Sequence, residues 1–267
     1  MRIWYQSLTE ESGLPVYFDG MRERARRIAR ADTEVDFVGM PAGTYGGKAP
    51  ADVVVYPYLM SLHHQSILDN AYTAQQRGFD VFVLGSVQDP AIDEARSLLR
   101  IPVVGYGESA MHVGCMLGRK FGIVVFQHRL DRIMDLRIER LGLSARAVAT
   151  ELMGVSFDDV GNALNDPGKV LELFEIAARQ AIRRGAEAIV PGQLYLSEAV
   201  ARAGLGRIDE VPVVDALTVT IKMAEMMHDL ARLGITVSRD GVTNALPSDE
   251  MIEHARRMHH RGETSSV

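Results

Sequence analysis

Arg77-Gly78-Phe79-Asp80-Val81-Phe82-Val83-Leu84-Gly85-Ser86 and Arg184-Gly185-Ala186-Glu187-Ala188-Ile189-Val190-Pro191-Gly192-Gln193 follow one pattern, 107 positions apart. Each reads as a basic helix end, a glycine that stops the helix, a short apolar strand, and a glycine followed by a polar residue. Further on, Ile101-Pro102-Val103-Val104-Gly105 is echoed by Val211-Pro212-Val213-Val214-Asp215, 110 positions away. Two strands with their turns, matched in order at nearly half the chain length, point to two similar lobes. Solenoid units are far shorter.

Outward from these stretches, short runs rich in Val and Ile alternate with longer segments of helical period. Parallel strands covered on both faces need no polar side, so this alternation predicts an α/β chain with mostly parallel sheets. Strands are expected at Arg2–Tyr5, Glu34–Gly39, Asp80–Leu84, Val103–Gly105, Gly122–Phe126, Ala145–Thr150, Ala188–Val190 and Val213–Asp215. Helices are expected at Val16–Arg30, Ser61–Arg77, Ile92–Leu99, Ser109–Gly118, Leu130–Leu141, Lys169–Arg184, Leu196–Ala203 and Leu217–Leu233, with a last one opened by Pro247-Ser248 and a frayed tail over Gly262–Val267. The expected lobes are residues 1–108 plus 217–267, and residues 109–216, each a mostly parallel sheet flanked by helices. In open α/β sheets ligands sit beyond the carboxyl ends of the strands. The turns Gly85-Ser86 and Gly192-Gln193 stand at such ends, so they are expected to face one another across a cleft suited to a small planar molecule.

Composition narrows the classes. The 267 residues are 47% hydrophobic and 24% charged, with a net charge of −6. Disorder and fibrous repeats do not fit that balance, and an acidic chain has no overall attraction to nucleic acid or anionic lipid. The longest apolar runs, such as Phe121 to Phe126, are far short of a membrane span, and the amino terminus lacks a signal peptide's apolar core. A cytoplasmic protein with no nucleic-acid or membrane partner is expected. The single cysteine, Cys115, rules out an internal disulfide and a thiolate zinc site. Adjacent His63 and His64 cannot both face one ion from a helix, and His-x-x-x-His and Cys-x-x-Cys spacings are lacking, so no metal is expected.

Several stretches in order resemble the cofactor-independent aspartate/glutamate/hydantoin racemase superfamily. They are Gly85-Ser86-Val87-Gln88-Asp89-Pro90-Ala91-Ile92-Asp93-Glu94-Ala95-Arg96, Pro102-Val103-Val104-Gly105-Tyr106-Gly107-Glu108-Ser109-Ala110, Gly185-Ala186-Glu187-Ala188-Ile189-Val190-Pro191-Gly192, and Pro212-Val213-Val214-Asp215-Ala216. The hydantoin-racemase branch is the nearest. The resemblance implies two α/β lobes with the active site between them, no cofactor, a small-molecule substrate and a homo-oligomer. In such racemases a cysteine follows each duplicated strand, and the pair passes a proton between the two faces of the substrate. Here Ser86 and Gln193 hold those positions. A serine hydroxyl needs an adjacent base to ionise, and a glutamine amide does not titrate. Two-base racemisation through them is therefore excluded. Cys115, among the apolar residues of its helix, reads as a small hydrophobe.

The chemistry left to the chain rests on a few candidates. Ser86 is either a turn-capping residue, an oxyanion or carboxylate donor, or a nucleophile if a histidine stands beside it. His63, His64 and Glu108 are the candidate bases. Val87 flanks Ser86, and Gln193, Leu194 and Tyr195 answer from the other lobe as substrate-binding groups. Gly105-Tyr106-Gly107-Glu108-Ser109-Ala110 matches the G-x-G-x-x-A pattern but lacks the acidic residue after the next strand, where Phe126-Gln127-His128 stands. It is expected instead to cradle a carboxylate or carbonyl, with Tyr106, Gly107 and Ser109 at the cleft. Gln127 and His128, Gln6 and Ser7 lie at further strand ends, and Tyr45 sits in a loop fit for a lid. The reading is an enzyme acting on a small carboxylate, amide or hydantoin-like ring by proton-transfer isomerisation or a related elimination. The alternatives are an amide or imide hydrolase centred on Ser86, and a silent small-molecule binder.

Overall fold

In the computed structural model, residues 1–260 are described, so the tail expected to fray lies outside them. The chain runs β1 (Arg2–Glu10), α1 (Pro15–Ile28), β2 (Glu34–Met40), α2 (Pro50–Val53), α3 (Pro57–Gln76), β3 (Val81–Gly85), α4 (Ile92–Leu98), β4 (Val103–Gly105) and α5 (Tyr106–Leu117). It continues through β5 (Phe121–Val125), α6 (Leu130–Arg140), β6 (Glu151–Leu152), α7 (Phe157–Asn162), α8 (Gly168–Arg183), β7 (Ala188–Pro191), α9 (Leu194–Arg202), β8 (Arg207–Ile208), β9 (Val211–Pro212), α10 (Ala216–Arg232) and α11 (Asp249–His260).

Two parallel sheets carry the duplication. The first has the order β2-β1-β3-β4 and the second β6-β5-β7. Beside β7, Val213 bridges to Ile189 in parallel, so a fourth chain segment takes the place that β4 takes beside β3. The duplicated stretches therefore occupy equivalent positions in equivalent sheets. A short antiparallel ladder, β8 with β9, leads into that fourth segment.

The differences from the expected elements have local causes. β1 continues to Glu10 because Ser7 still pairs with Gly85 of β3 and Glu10 pairs with Met40 of β2 after a shift in register, while the mixed polarity of Ser7, Leu8 and Thr9 breaks the apolar run. The strand expected over Ala145–Thr150 reduces to a bridge between Ala147 and Phe121 and the two-residue β6, after a 3-10 turn over Ser144–Arg146. α3 begins at Pro57, where a missing amide and a fixed φ suit a first helical position. α7 opens with a capping box in which the Ser156 hydroxyl accepts from the Asp159 amide at 3.1 Å.

The sides of β3 show how the core is divided. Val81 and Val83 join an apolar cluster that runs on through Tyr106, Phe121, Ile123 and Ile189 into the second sheet. Phe82 and Leu84 point the other way, onto Ile67, Ala71 and Ala74 of α3. One continuous core thus spans both sheets, and α3 covers the outer face of the first. Around the junction, fully buried Glu198 on α9 pairs with Arg24 of α1 and with Arg202 at 2.9 Å, and Arg24 also reaches Asp215, the N-cap of α10. No helix among the described residues is long and apolar enough to cross a membrane.

Candidate active site

The carboxyl ends of the two sheets meet around one cavity that opens to solvent. Ser7, Leu8 and Thr9 come from the end of β1, and Gly85 to Gln88 from the end of β3. Phe126, Gln127 and Leu130 follow β5, and Gln193, Leu194 and Tyr195 follow β7. Tyr17 of α1, Phe157 of α7, and Pro50, Ala51 and Val54 close the remaining sides.

The two glycines of the repeat are there for close approach. A Cβ at Gly85 would stand 2.3 Å from the Tyr5 ring and 2.8 Å from the Gln6 carbonyl, and one at Gly192 would stand 2.5 Å from Val125. Each turn thus lies flat against its neighbouring strand, and the next residue, Ser86 or Gln193, is delivered to the cavity wall.

The polar lining is neutral. Gln193 is held by its Oε1, which accepts from the Phe126 amide at 3.2 Å, while its buried Nε2 has no partner. The Ser86 hydroxyl accepts only a long bond from the Gln88 amide at 3.4 Å. Thr9 Oγ1 and the Tyr195 hydroxyl are hydrogen-bonded to each other. Among the described residues no Asp, Glu, His, Lys, Arg or Cys lines this cavity. Its only ionisable groups are the phenols of Tyr17 and Tyr195, and burial raises both well above their ordinary value, so they stay protonated. One wall is aromatic: the ring centroids of Tyr17 and Tyr195 lie 4.5 Å apart and those of Phe157 and Tyr195 5.0 Å apart.

Ala51, Phe126, Gln127 and Phe157 are shared with a wider outer groove, where Lys48, Asp52, His128, Arg129 and Asp158 appear. The loop from β2 to α2 overhangs it. That loop is pinned by Glu10, whose carboxylate accepts from the amides of Gly43 and Tyr45 at 2.9 Å, and by the Tyr45 hydroxyl, which donates to the Leu8 carbonyl.

Of the residues singled out from sequence, Ser7, Ser86, Val87, Gln127, Gln193, Leu194 and Tyr195 come together here, and His128 stands in the outer groove. The others go elsewhere. Gln6 alternates with Ser7 and is buried on the far side of β1, accepting from Trp4 Nε1 at 3.1 Å and Asn70 Nδ2 at 2.9 Å. Tyr45 is the pin just described. The Tyr106 hydroxyl donates to the Pro191 carbonyl at 2.9 Å beneath the cavity, and Ser109 is buried inside α5.

The anion cradle expected at Gly107–Ser109 is already filled. The carboxylate of Asp89 accepts from the Gly107 and Glu108 amides at 2.8 and 2.7 Å, so the helix start holds the chain's own anion. The glycines of this G-x-G run make room for that carboxylate: a Cβ at Gly105 would lie 2.5 Å from Asp89 Oδ1. The Glu108 side chain turns away to an ion pair with Arg96 at 2.9 Å.

His63 packs its ring edge-on against Tyr45 at 5.3 Å with Nε2 unpartnered. His64 faces a separate pocket behind the Ser86 turn, beside Gln88, Asp89 and Arg137. Burial lowers the basicity of both histidines; His63 is depressed further by His64, while Glu94 pulls His64 the other way. None of His63, His64 or Glu108 therefore shares the cavity with Ser86. Cys115 lies half-buried on α5, its thiol pushed up by burial, and outside the cavity. No cluster of three or more metal-ligating side chains occurs among the described residues.

Thr9, Tyr17, Phe126, Leu130 and Phe157 escaped the sequence reading. The capping box Ser156-Phe157-Asp158-Asp159 was a readable signal for Phe157, since it marks a helix start at a strand end. Tyr17 carries no such signal, being one apolar position among several on α1.

Comparison with known proteins places this arrangement. The family model described as Asp/Glu/Hydantoin racemase matches residues 12–224. A hydantoin racemase of Pseudomonas sp. (strain NS671) is 27% identical over 217 residues, 80% of this chain and 81% of that protein. Allantoin racemase from Klebsiella pneumoniae shares the fold with a TM-score of 0.76 at 24% identity, over 93% of this chain and 94% of that one. Allantoin racemase from Pseudomonas fluorescens superposes with a TM-score of 0.73 at 25% identity, over 92% and 97%.

Proposed function

Since the chain belongs to the Asp/Glu/hydantoin racemase family, we propose that it is a racemase/isomerase-type enzyme moving a proton on a carbon beside a carbonyl in a small uncharged ring. A hydantoin with an apolar 5-substituent is the model substrate. The observation that carries this reading is the neutral cavity between the two matched turns, with the unpartnered Gln193 Nε2 in its lining. A substrate carboxylate or ammonium would enter without a counter-ion, at a large desolvation cost, whereas an imide or amide ring gives and takes hydrogen bonds. The Tyr17–Tyr195–Phe157 wall suits the apolar substituent.

In this reading Gln193 Nε2 and the Ser86 hydroxyl donate to ring carbonyl oxygens and strengthen their hold as the enolate forms. The proton is taken by hydroxide entering from the outer groove, because no side chain that lines the inner cavity among the described residues is an available base. Hydroxide accepts the carbon-bound proton and becomes water. Water then returns a proton to either face of the enolate, and hydroxide is regenerated. No cofactor enters the cycle. A serine hydrolase mechanism finds no support, since among the described residues no histidine lines the cavity with Ser86.

Exchange of the substrate's carbon-bound proton in heavy water between pH 6 and 9 tests this. Solvent-derived base predicts a rate that climbs about tenfold per pH unit without a plateau, and losses of roughly a hundredfold in Gln193→Leu. An inflection that disappears in His128→Ala would instead make His128 the base. Binding without exchange at any pH would make the protein a silent binder. The lobe division at 1–108 plus 217–267 and 109–216, the homo-oligomer and the cytoplasmic location are proposed alongside; light scattering of the purified chain tests the oligomer.

A further inference from the structure

Asp89 makes more connections than a turn residue needs. Its amide donates to the Ser86 carbonyl at 3.0 Å and closes the turn that carries the Ser86 hydroxyl. Its side chain is fully buried and accepts from the Gly107 and Glu108 amides at the start of α5. The same carboxylate accepts from Arg137 Nη2 of α6 at 3.0 Å, and Arg137 is itself 8% exposed. The backbone is bent to allow this: Asp89 and Ala91 both adopt left-handed conformations, with φ of 45° and 57°. A residue with a side chain is disfavoured in that conformation.

Arg137 brings in the other sheet. It lies seven residues after Leu130 on α6, two helical turns along the same face, and Leu130 lines the cavity next to Phe126 and Gln127. One ion pair therefore connects the wall built by the end of β3 to the wall built by the end of β5.

Burial pushes the Asp89 carboxyl up to about 6, against the pull of Arg137 and the two amides. A carboxyl raised on folding favours the native state less above that pH than below it, so at neutral pH the ionised form is held at a cost. Asparagine would still accept a bond from the start of α5. What it could not do is hold Arg137 by charge.

We propose that Asp89 and Arg137 are the positioning residues of this site, a buried pair that sets the Ser86 turn against the Phe126–Leu130 wall across the two sheets. The proposal rests on the function assigned above and adds residues that touch no substrate.

Four variants test it: Asp89→Asn, Arg137→Met, Arg137→Lys, and Asp89→Asn combined with Arg137→Met. With a 5-substituted hydantoin as probe, each of the first two lowers kcat for proton exchange by about thirtyfold to a hundredfold. KM stays within about threefold, while Tm falls in each single variant because a buried charge is left unpaired. The combined variant is no slower than the slower single one, because the pair acts as a unit. Arg137→Lys recovers part of the rate. Hydrogen–deuterium exchange gives a readout that needs no activity: amides of 85–91 and 126–130 lose protection together in Arg137→Met, while α8 keeps its protection.

Multiplying losses in the combined variant would overturn the proposal. So would protection lost evenly along the chain, which is what a merely structural pair would give. If the wild-type protein turns over no hydantoin, the functional reading fails on its own and the exchange data still decide: both segments loosening supports the pair, and one alone or neither overturns it.

Discussion

Gly107→Ala is a one-methyl change at the most crowded point behind the site. A Cβ at Gly107 would sit 2.1 Å from the Val87 carbonyl oxygen, 2.9 Å from the Val87 carbonyl carbon and 2.9 Å from Asp89 Oδ2. An ordinary carbon–oxygen contact is about 3.3 Å or more, so the two backbones must part by roughly 1.2 Å. Neither can rotate aside, because Val87 belongs to the Ser86 turn and Gly107 to the first turn of α5. Overpacking of this kind costs about 1–3 kcal/mol. For a chain of this size each kcal/mol lowers Tm by roughly 2–4 °C, giving a fall of about 2–12 °C in scanning calorimetry. The Ser86 turn moves by a similar ångström, and a displacement of about 1 Å in a reacting site costs roughly a hundredfold in kcat. Gly161→Ala is the control: its Cβ meets nothing within 4 Å on α7, and the change should be neutral or stabilise by up to about 1 kcal/mol. A Gly107→Ala protein with wild-type Tm and wild-type hydantoin exchange would refute the packing of the Asp89 turn on α5.

Two further outcomes follow from the buried charges. Burial lowers the basicity of His63 and His64, so the unfolded chain binds more protons than the folded one below its pKa of 6.5. Stability from these groups is complete above pH 6.5 and falls as the pH drops; denaturant titrations at pH 7 and pH 5 should differ less in a His63→Asn/His64→Asn variant than in the wild type. Glu198→Leu leaves Arg24 and Arg202 without the fully buried carboxylate that holds both, and a loss of about 3–5 kcal/mol is expected in urea unfolding.

How much of this was readable without coordinates depended on whether a residue's role is local. β3 and β7 were plain because strands buried on both faces are unbroken apolar runs with glycine at each end. β6 was not, because two residues between a 3-10 turn and a capped helix leave no period to read. Ser86 and Gln193 were found through the repeat, which sets them at equivalent strand ends. The candidate bases fared differently, because helical phase and neighbours decide them: His63 meets Tyr45, His64 a back pocket, and Glu108 meets Arg96. Gly105-Tyr106-Gly107 has the spacing of an anion-binding turn, and it does bind an anion. That anion, Asp89, is 18 residues upstream of Gly107, a distance at which spacing rules carry no information.

The central claim is proton transfer on an uncharged ring in a cavity without a protein base. Proton NMR of a single-enantiomer 5-substituted hydantoin with the purified protein in heavy water, followed alongside optical rotation, tests it most directly. The account predicts that the C5 proton signal and the rotation decay together, with no new resonances, and that Ser86→Ala slows both. Ring-opened or amine signals, or a C5 proton that persists while the ring is bound, would contradict it.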